Sequence, residues 1–529
     1  MKSLKLRGVL AAAALAVAAG VAGSAFAQET VLRVAMSAAD IPDWTGAPDQ
    51  GYEGYRFAGY TMYDALALWD LSSSDKAADI VPGLATSWEV DPTNNLLWTY
   101  HLREGVKFHD GCPWNADSAV WNFARVQDSD APQFNARHAG MQGSGVVNVA
   151  KVEKVDDYTI KITSKTPASL LPYDLAMFYM ISNCGVEAAG NDYVKYAEHP
   201  AGTGPYKFDK LVPHERLELV KNAEYWNPDR IPKHDRLVLL PMPEASTRAA
   251  ALLSGQVDFV EAPSPDTIPA LTAAGMQIVT VPYPHNWDYL LRVDKGPFAD
   301  LRVRQAANMA INRQDMVDML QGVATAGYNT LIESQPWYGS PPIYEYDPEG
   351  AKALLTEAGC MPCKIKIGIS TSGSGQMQPL PMNELVKEQL DEAGFEVELI
   401  PMDWNALIGV FLGGADKSEF DGINFSMAPI DASQGILKKW MTAYAPPSCC
   451  NWGFYKNEEV DKLGNEAMAE FDQAKRDVIL TKMNDTIMAD APELFIAHDL
   501  NPRALSPKLS GFVQAQSWFQ DLTPIVVNP

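Results

Sequence analysis

A strand–helix–strand pattern between residues 347 and 400 constrains the fold more than any other stretch of this sequence. An Asp-Pro helix start is followed by apolar residues at the three- and four-residue spacing of one helix face, up to Gly359. Isoleucines alternate with other residues over 364–369, a second amphipathic helix follows over 382–393, and Val397 begins another strand. Strands joined by a helix of that length pair in parallel, so the pattern predicts an α/β protein with a partly parallel sheet.

The first 27 residues have the three parts of a secretory signal peptide. Lys2, Lys5 and Arg7 precede a charge-free run over 8–27, which ends in small residues at the positions that signal peptidase reads. The run is nearly long enough to span a bilayer, so an uncleaved anchor is the alternative. We expect cleavage before Gln28, which is not a cysteine that could carry a lipid, and export to the periplasm of a Gram-negative bacterium.

The charge balance excludes several classes of partner. The chain carries 66 acidic and 42 basic residues, a formal charge of −24 that becomes −27 when the three basic residues of the signal peptide are removed. A protein binds nucleic acids and anionic lipid surfaces through clustered Lys and Arg residues, so we expect neither partner for this chain. A cationic or neutral ligand suits this charge better than an anionic one.

Six cysteines remain after cleavage, an even number that indicates disulfides in an oxidising compartment. Fifteen pairings are open from the sequence alone. The CxxC spacing favours a local disulfide over a redox or zinc site, because no second CxxC or histidine pair lies nearby. The adjacent pair either forms a vicinal disulfide or pairs with distant partners. The cysteines are Cys112, Cys184, Cys360, Cys363, Cys449 and Cys450.

Catalytic and cofactor motifs are missing from the sequence. It has no nucleophile elbow, no Walker loop, no HExxH and no glycine-rich loop that opens a helix. The eight histidines are scattered; His101 and His109 flank one strand and turn, and structural or surface roles are the better interpretation of both. We therefore expect no catalytic residue, no metal site and no cofactor.

Tryptophan is the residue type that points to a binding site. The chain has 13 tryptophans, and several lie in contexts rich in Pro, Gly and Asp that are typical of turns. Each is open to two interpretations, packing at the edge of a core or forming the wall of a ligand cleft. Those in turn-like contexts are Trp44, Trp287, Trp337, Trp404 and Trp452.

Seven segments in the same order as in a known family carry a resemblance that covers nearly the whole mature chain. Together they resemble the family 5 extracellular solute-binding proteins, the periplasmic dipeptide-, oligopeptide- and nickel-binding components of ABC importers. The segments are 83–126, 202–208, 250–260, 300–317, 346–359, 390–399 and 493–512.

The resemblance implies a bilobed "Venus flytrap" of the periplasmic-binding-protein type II, with an extra inserted domain. The expected order is a signal peptide over 1–27, a discontinuous lobe I, an insertion into it and a lobe II. The expected bounds are 28–58, 201–284 and 496–529 for lobe I, 59–200 for the insertion, and 285–495 for lobe II.

The resemblance also implies a function in transport. Ligand would bridge both lobes and stabilise the closed form that the transmembrane permease of an ABC importer recognises. We expect a monomer that is not an enzyme. Two alternatives stay open: a carrier of the same fold for a metal or metal chelate, and a secreted carbohydrate-active hydrolase.

Two charged anchors of the peptide-binding relatives are missing here. An Asp that holds the ligand's amino group in those relatives falls at Ala428, although Asp431 is the next acidic position. An Arg for the ligand's carboxylate would lie in the loop 370–376, which contains none. Because an unmatched charge in a closed cleft is costly, a short zwitterionic dipeptide is disfavoured. We expect a longer or modified peptide, a sugar-like molecule or another organic solute.

The predicted ligand-binding residues combine the aromatic candidates with polar positions from the aligned segments. They are Asp40, Trp44, Trp287, Trp404, Ser426, Met427, Asp431 and Trp452.

Overall fold

The computed structural model describes residues 29–373 and 375–529, so the predicted signal peptide lies outside the described residues. Within those ranges the chain forms 21 strands in five sheets, with helices packed around them. No helix in the described part of the chain is both long and apolar enough to cross a membrane. The mixture of parallel and antiparallel strands with helices confirms the predicted α/β class.

The strands are short, with two to nine residues each. In chain order they are β1 (Val31–Met36), β2 (Ala67–Trp69), β3 (Ile80–Pro82), β4 (Ala85–Asp91), β5 (Asn94–Leu102), β6 (Val149–Asp156), β7 (Thr159–Ser164), β8 (Tyr206–Val212), β9 (Arg216–Lys221), β10 (Arg236–Pro241), β11 (Phe259–Glu261), β12 (Gln277–Val279), β13 (Asn286–Leu291), β14 (Ala324–Ala326), β15 (Cys363–Ser370), β16 (Phe395–Met402), β17 (Gly422–Met427), β18 (Glu493–Asp499), β19 (Arg503–Leu505), β20 (Leu509–Ser510) and β21 (Val526–Val527).

The helices alternate with the strands along most of the chain. In chain order they are α1 (Tyr60–Met62), α2 (Ala116–Gln127), α3 (Ala136–Val146), α4 (Leu171–Leu175), α5 (Asn183–Ala188), α6 (Tyr193–Tyr196), α7 (Ala245–Leu253), α8 (Ile268–Ala273), α9 (Leu301–Met309), α10 (Arg313–Met319), α11 (Pro348–Glu357), α12 (Pro379–Glu392), α13 (Trp404–Gly413), α14 (Lys438–Trp440), α15 (Glu458–Ala469) and α16 (Gln473–Ala489). Two π-helical turns, Gly54–Gly59 and Ser433–Leu437, precede α1 and α14.

The largest sheet has seven strands in the order β12-β19-β11-β1-β10-β9-β8. Its centre is β1, which pairs in parallel with both β10 and β11. Apolar side chains of β1 and β10, such as Leu32, Val34 and Leu239, are fully buried in the core that one face of this sheet makes. We call this sheet with its helices the first lobe.

The second large sheet has six strands in the order β14-β18-β13-β17-β15-β16, and we call it with its helices the second lobe. The predicted strand–helix–strand unit is confirmed, because β15 pairs in parallel with β16 over its full length. The isoleucines of β15 pack in one core with α12 residues such as Met382 and Val386. The helices predicted after Asp300 and Asn312 are α9 and α10, and each of those side chains caps its helix.

A separate antiparallel sheet, β4-β5-β7-β6, lies in the region predicted as an insertion. We call this sheet together with α2 to α4 the four-stranded unit. It has its own aromatic core, which includes Trp98, Trp114 and Phe123. The domain boundaries given above stay a prediction.

The chain passes between the two large sheets twice, from β12 to β13 and from β18 to β19. One expectation about this region is wrong. The context of Trp287, rich in Pro, Gly and Asp, predicts a turn, but the residue lies in β13, a central strand of the second lobe, and is fully buried. A buried strand with neighbours on both sides needs no alternation of apolar and polar residues, so the local sequence did not reveal it.

The structure pairs all six cysteines as disulfides: Cys112–Cys184, Cys360–Cys363 and Cys449–Cys450. The first has a sequence separation of 72 and joins the segment before α2 to α5, and the second is the local CxxC bridge. The third is the vicinal alternative. A long loop loses more conformational entropy on closure than a short one, so the three bridges differ in their effect on the unfolded chain.

Replacing Cys112 and Cys184 by Ala should lower the free energy of unfolding by about 4 kcal/mol, from the loop-closure entropy of the unfolded chain. The matched double substitution of Cys360 and Cys363 removes a bridge with a sequence separation of 3 and should lower the free energy of unfolding by about 2 kcal/mol. Denaturant titration of the oxidised proteins measures both. Equal losses would contradict the expected dependence on loop length.

Candidate functional site

A cavity of about 300 Å³ lies between the two lobes. The first lobe contributes the residue after β1, the loop before α7 with the first turn of that helix, and the segment after β11. The second lobe contributes the loop after β15 and the first turn of α12. The side chains with polar groups in the lining are Ser37, Glu244, Ser246, Arg248, Ser264, Thr371, Ser372 and Gln378.

A direct hydrogen bond joins the two walls of this cavity. Gln378 Nε2 donates to Ser264 Oγ at 2.7 Å, and the Ser264 hydroxyl in turn donates to Asp266. Gln378 occupies the N-cap position of α12 but does not cap that helix, because its side chain reaches across to the other lobe. The contact exists only when the lobes are close, so the structure describes a closed arrangement.

Trp518, in the C-terminal segment, lies where the lobes meet. Its indole stacks on His285 at a centroid distance of 4.6 Å, and the Arg56 guanidinium lies 4.5 Å from its ring. Tyr52 packs edge-on against it at 6.0 Å. The indole Nε1 is buried and has no hydrogen-bond partner among the described residues. A buried N–H without an acceptor is costly, so this atom is a candidate ligand contact.

The two segments that cross between the lobes are tied together by Asp499. Its carboxylate contacts His285 Nδ1 at 2.5 Å and accepts a hydrogen bond from the Tyr283 hydroxyl at 3.1 Å. His498 Nδ1 bonds the carbonyl of His285 at 2.8 Å. Tyr283 also stacks on Trp518. The crossing segments and the C-terminal tail therefore form one buried polar and aromatic junction.

A buried charge cluster lies behind the first-lobe wall of the cavity. Arg56 contacts both Glu53 and Glu261, and Arg503 contacts Glu261 at 2.9 Å. Ser37, in the cavity lining, donates a hydrogen bond to Glu53. Burial, and next to it the charge of Glu261, raises the pKa of Glu53 to about 7 in spite of the opposing effect of Arg56.

Two predicted site residues are linked through one amide. Trp287 Nε1 donates to Gln376 Oε1 at 3.1 Å, and Gln376 Nε2 donates to Ser426 Oγ at 3.0 Å. All three side chains are buried. Trp287 and Ser426 are also cross-strand neighbours in β13 and β17. Together they hold the loop after β15 against the second-lobe sheet.

Trp404, Trp452 and Met427 belong to one apolar cluster of the second lobe. Trp404 stacks on Phe425 at 5.0 Å, and Trp452 Nε1 donates to the carbonyl of Val410. A side chain at position 373 would meet the Trp404 ring, since a Cβ built on Gly373 lies 2.4 Å from it. Trp404 therefore supports the cavity loop from behind.

Asp40 and Trp44 lie apart from the other predicted residues. The Asp40 carboxylate contacts the exposed His214 at 2.7 Å. Trp44 Nε1 donates to the carbonyl of Ala197, and its ring packs on the first-lobe core. Neither residue lines the cavity between the lobes.

Asp431 lies at the contact between the second lobe and the four-stranded unit. Its Oδ1 accepts from the backbone of Gln434, whereas Oδ2 is buried without a partner in the described chain. Burial, and after it the charge of Asp174, raises the pKa of Asp431 to about 6. Asp174 itself pairs with Lys438 at 2.6 Å.

Sequence reasoning missed the residues that bring the lobes together. Tyr52, Arg56 and Trp518 lie in segments without a regular amphipathic pattern, and Gln378 has the sequence context of an ordinary helix start. Adjacent aromatics at 518–519, in a tail predicted to return to lobe I, were the one available signal. Among the residues described, no group of three or more His, Cys, Asp or Glu is placed to hold a metal ion.

Residues 79–444 match the family model described as "Bacterial extracellular solute-binding proteins, family 5 Middle". The chain belongs to this family. It is the solute-binding component of an ABC importer, which binds a small solute and delivers it to the permease subunits. The bilobed fold and the predicted family are both confirmed.

Individual relatives differ in what their names say they bind. The chain is 30% identical to glutathione-binding protein GsiB of Pectobacterium atrosepticum, over 83% of this chain and 84% of the relative. It is 28% identical to heme-binding protein A of Haemophilus influenzae, over 87% and 86%. The solved structure of the periplasmic binding protein DppA of Helicobacter pylori with the peptide STSA superposes with a TM-score of 0.82 at 24% identity, over 95% of this chain and 99% of DppA.

Gly375→Ala should weaken closure of the lobes. The residue has φ +69°, and an added Cβ would lie 2.4 Å from His285 Nε2 and 2.9 Å from the Trp518 ring. Gly409→Ala in α13, where an added Cβ meets nothing, is the matched control and should stabilise the helix by up to about 1 kcal/mol. Small-angle scattering should give a larger radius of gyration for the first variant only; equal radii would refute the role of Gly375.

The raised pKa of Asp431 predicts a specific pH dependence. Its usual value is 3.8 and its folded value is about 6, so the folded chain binds the extra proton and stability falls as pH rises from about 4 to 6. The shift corresponds to about 3 kcal/mol. Asp431→Asn keeps an oxygen for Gln434 and should raise the free energy of unfolding at pH 7.5 but hardly at pH 4. Denaturation at both pH values tests this, and an equal effect at the two would contradict it.

Proposed function

We propose that this protein captures an organic solute in the cavity between its two lobes, in the periplasm, and releases it to the importer without changing it chemically. The observation that carries the proposal is the cavity itself, lined by polar side chains from both lobes. A solute that contacts both walls binds the closed form better than the open form. It therefore shifts the balance toward closure by that difference in affinity.

The lining favours a solute that is recognised mainly by hydrogen bonds. Hydroxyl groups of Ser37, Ser264 and Thr371 and the amide of Gln378 offer donors and acceptors on both sides. Trp518 lies outside this lining, where the lobes meet, and its buried N–H has no acceptor among the described residues. These groups suit peptides, modified peptides and sugar-like compounds. The names of the relatives make glutathione and short peptides the first compounds to test.

A carrier needs no reacting groups. Hydrolysis of a glycoside would need two carboxyl groups facing each other across the cleft. Among the described residues, the cavity lining contains one carboxylate, that of Glu244. This supports a binding role over the hydrolase alternative.

The test is a thermal-shift screen of the mature protein against glutathione, the peptide Ser-Thr-Ser-Ala, dipeptides, sugars and metal chelates. A true solute at 100 times its Kd should add about 2.7 kcal/mol of stability. Mass spectrometry of the recovered compound should find it unchanged. The Gly375→Ala variant should lose affinity for the same compound, whereas Gly409→Ala should keep it.

Three results would overturn the proposal. One is conversion of any bound compound to a product. Another is a stabilising compound that leaves the radius of gyration and the Gly375→Ala variant unaffected, because it would then bind elsewhere. The last is tight binding of a bare metal ion with no organic solute bound.

A further inference from the structure

The guanidinium of Arg248 is a buried cation in the wall of the cavity. Only 2% of its surface is exposed, yet it forms no ion pair among the residues that the structure describes. Its nitrogens donate instead to the backbone carbonyls of Met242, Pro243, Glu261 and Ala262, at 2.6 to 2.8 Å. Carbonyl dipoles orient this cation but do not cancel its charge. Burial lowers the pKa of Arg248 to about 10, which indicates incomplete compensation.

The charge cluster behind Arg248 does not supply the missing negative charge. Arg56, Arg248 and Arg503 lie in the same buried region as Glu53 and Glu261, so three cations face two carboxylates. Among these five buried groups one positive charge is left over even with both glutamates ionised, and the further carboxylate that acts on Arg248, that of Glu244, is exposed to solvent. A net buried charge is costly unless a counter-ion comes close.

The first turn of α7 adds hydrogen-bond donors at the same wall. The backbone amides of Ala245, Ser246 and Thr247 precede the first helical bond, which runs from Arg248 N–H to the carbonyl of Glu244. No side chain in the described part of the chain caps this nine-residue helix. Helix N-termini with free amides attract anions, through both the amides and the helix dipole.

The opposite wall is neutral. Thr371, Ser372 and Gln378 contribute hydroxyl and amide groups. The first turn of α12 offers few backbone hydrogen-bond donors, because the prolines at 379 and 381 have no N–H group. Two carboxylates are near: Glu244 is exposed at the rim, and Asp266 accepts a bond from Ser264. The buried part of the wall is therefore cationic.

We propose that this cavity binds an oxyanion of the solute, a carboxylate in the simplest case, between the first turn of α7 with Arg248 and the hydroxyl-bearing loop after β15. The solute of this importer is thus an organic acid or an acidic peptide derivative. The proposal rests on the proposed function, since it names the class of solute that the same cavity takes. It departs from the expectation that a strongly acidic chain prefers a cationic or neutral ligand, because local charge at the wall outweighs the charge of the distant surface.

The experiment compares acids with their neutral amides on two variants of one residue. Ser246 lies in the first turn of α7, is exposed, and lines the cavity. Ser246→Asp places a negative charge there, which favours the helix start and so preserves folding. Ser246→Asn has nearly the same shape without the charge. The probes are glutathione, Ser-Thr-Ser-Ala and succinate, each beside the form with all carboxyl groups amidated.

The charge effect is read as the difference between the two variants, so any steric cost cancels. At least one acid should raise the melting temperature of the unsubstituted protein, and its amide should bind at least tenfold more weakly. Ser246→Asp should bind that acid at least tenfold more weakly than Ser246→Asn. The two variants should bind any neutral ligand equally. Gln473→Glu, at the start of α16 and outside the cavity, should leave the affinity for the acid unchanged.

Other outcomes separate this inference from the function on which it rests. If amides bind as well as acids, or if the two Ser246 variants bind an acid equally, the carrier role stands and the oxyanion site is refuted. If none of the three acids binds while a neutral compound from the wider screen does, the oxyanion site is likewise refuted. If no compound of either kind binds or closes the lobes, both the function and this inference fall.

Discussion

The contact between Asp499 and His285 is the interaction on which the geometry of the cleft depends. The chain crosses between the lobes only at two segments within the described residues, and this contact joins them. Tyr283 bonds the same carboxylate, and Trp518 stacks on both rings. Any opening of the lobes therefore has to turn about this junction, in the manner of a hinge whose few residues absorb the change. Because the junction is buried and its carboxylate contacts and ring stacking involve both crossing segments, it gives the closed arrangement a defined position.

The distribution of charge explains how an acidic protein can hold a cationic wall. Exposed carboxylates are solvated, and their fields are screened within about 10 Å at ordinary ionic strength. Three arginines are buried: Arg56, Arg248 and Arg503. In the protein interior the dielectric constant is low, so the electrostatic interaction energy between nearby charges is larger than in water. Glu53 and Glu261 hold Arg56 and Arg503 in place, while Arg248 is held by backbone carbonyls. The negative surface charge thus governs which large partners approach, and the net charge of the buried arginines and glutamates governs which small molecule binds.

Much of the fold could be predicted from the sequence, but little of the site. The parallel pair β15 and β16, the helices capped by Asp300 and Asn312, and the family all followed from local patterns and collinear segments. Those patterns report one element at a time. Gln378 donates a hydrogen bond to Ser264, 114 positions away in the sequence. Trp518 in the C-terminal segment stacks on His285, which is also distant in the sequence. No local sequence pattern reveals either contact. The turn-like contexts of Trp287 and Trp452 favour a cleft wall, yet both rings pack in hydrophobic cores.

The same packing explains why two positions in the loop after β15, 373 and 375, carry no arginine. Gly373 lies against Trp404, and Gly375 lies against His285 and Trp518, so close that even a Cβ would collide at either position. A long cationic side chain at 373 or 375 could not exist in the closed form without moving a buried ring. The loop presents the hydroxyl groups of Thr371 and Ser372 to the cavity, so the positive charge in the cavity wall comes from the facing lobe. Arg248 and the first-turn amides of α7, which no side chain of the described residues caps, are the groups in the cavity wall that meet this requirement. The two glycines allow the loop to pack closely against buried rings, and Arg248 in the opposite wall supplies the positive charge that these two positions cannot carry.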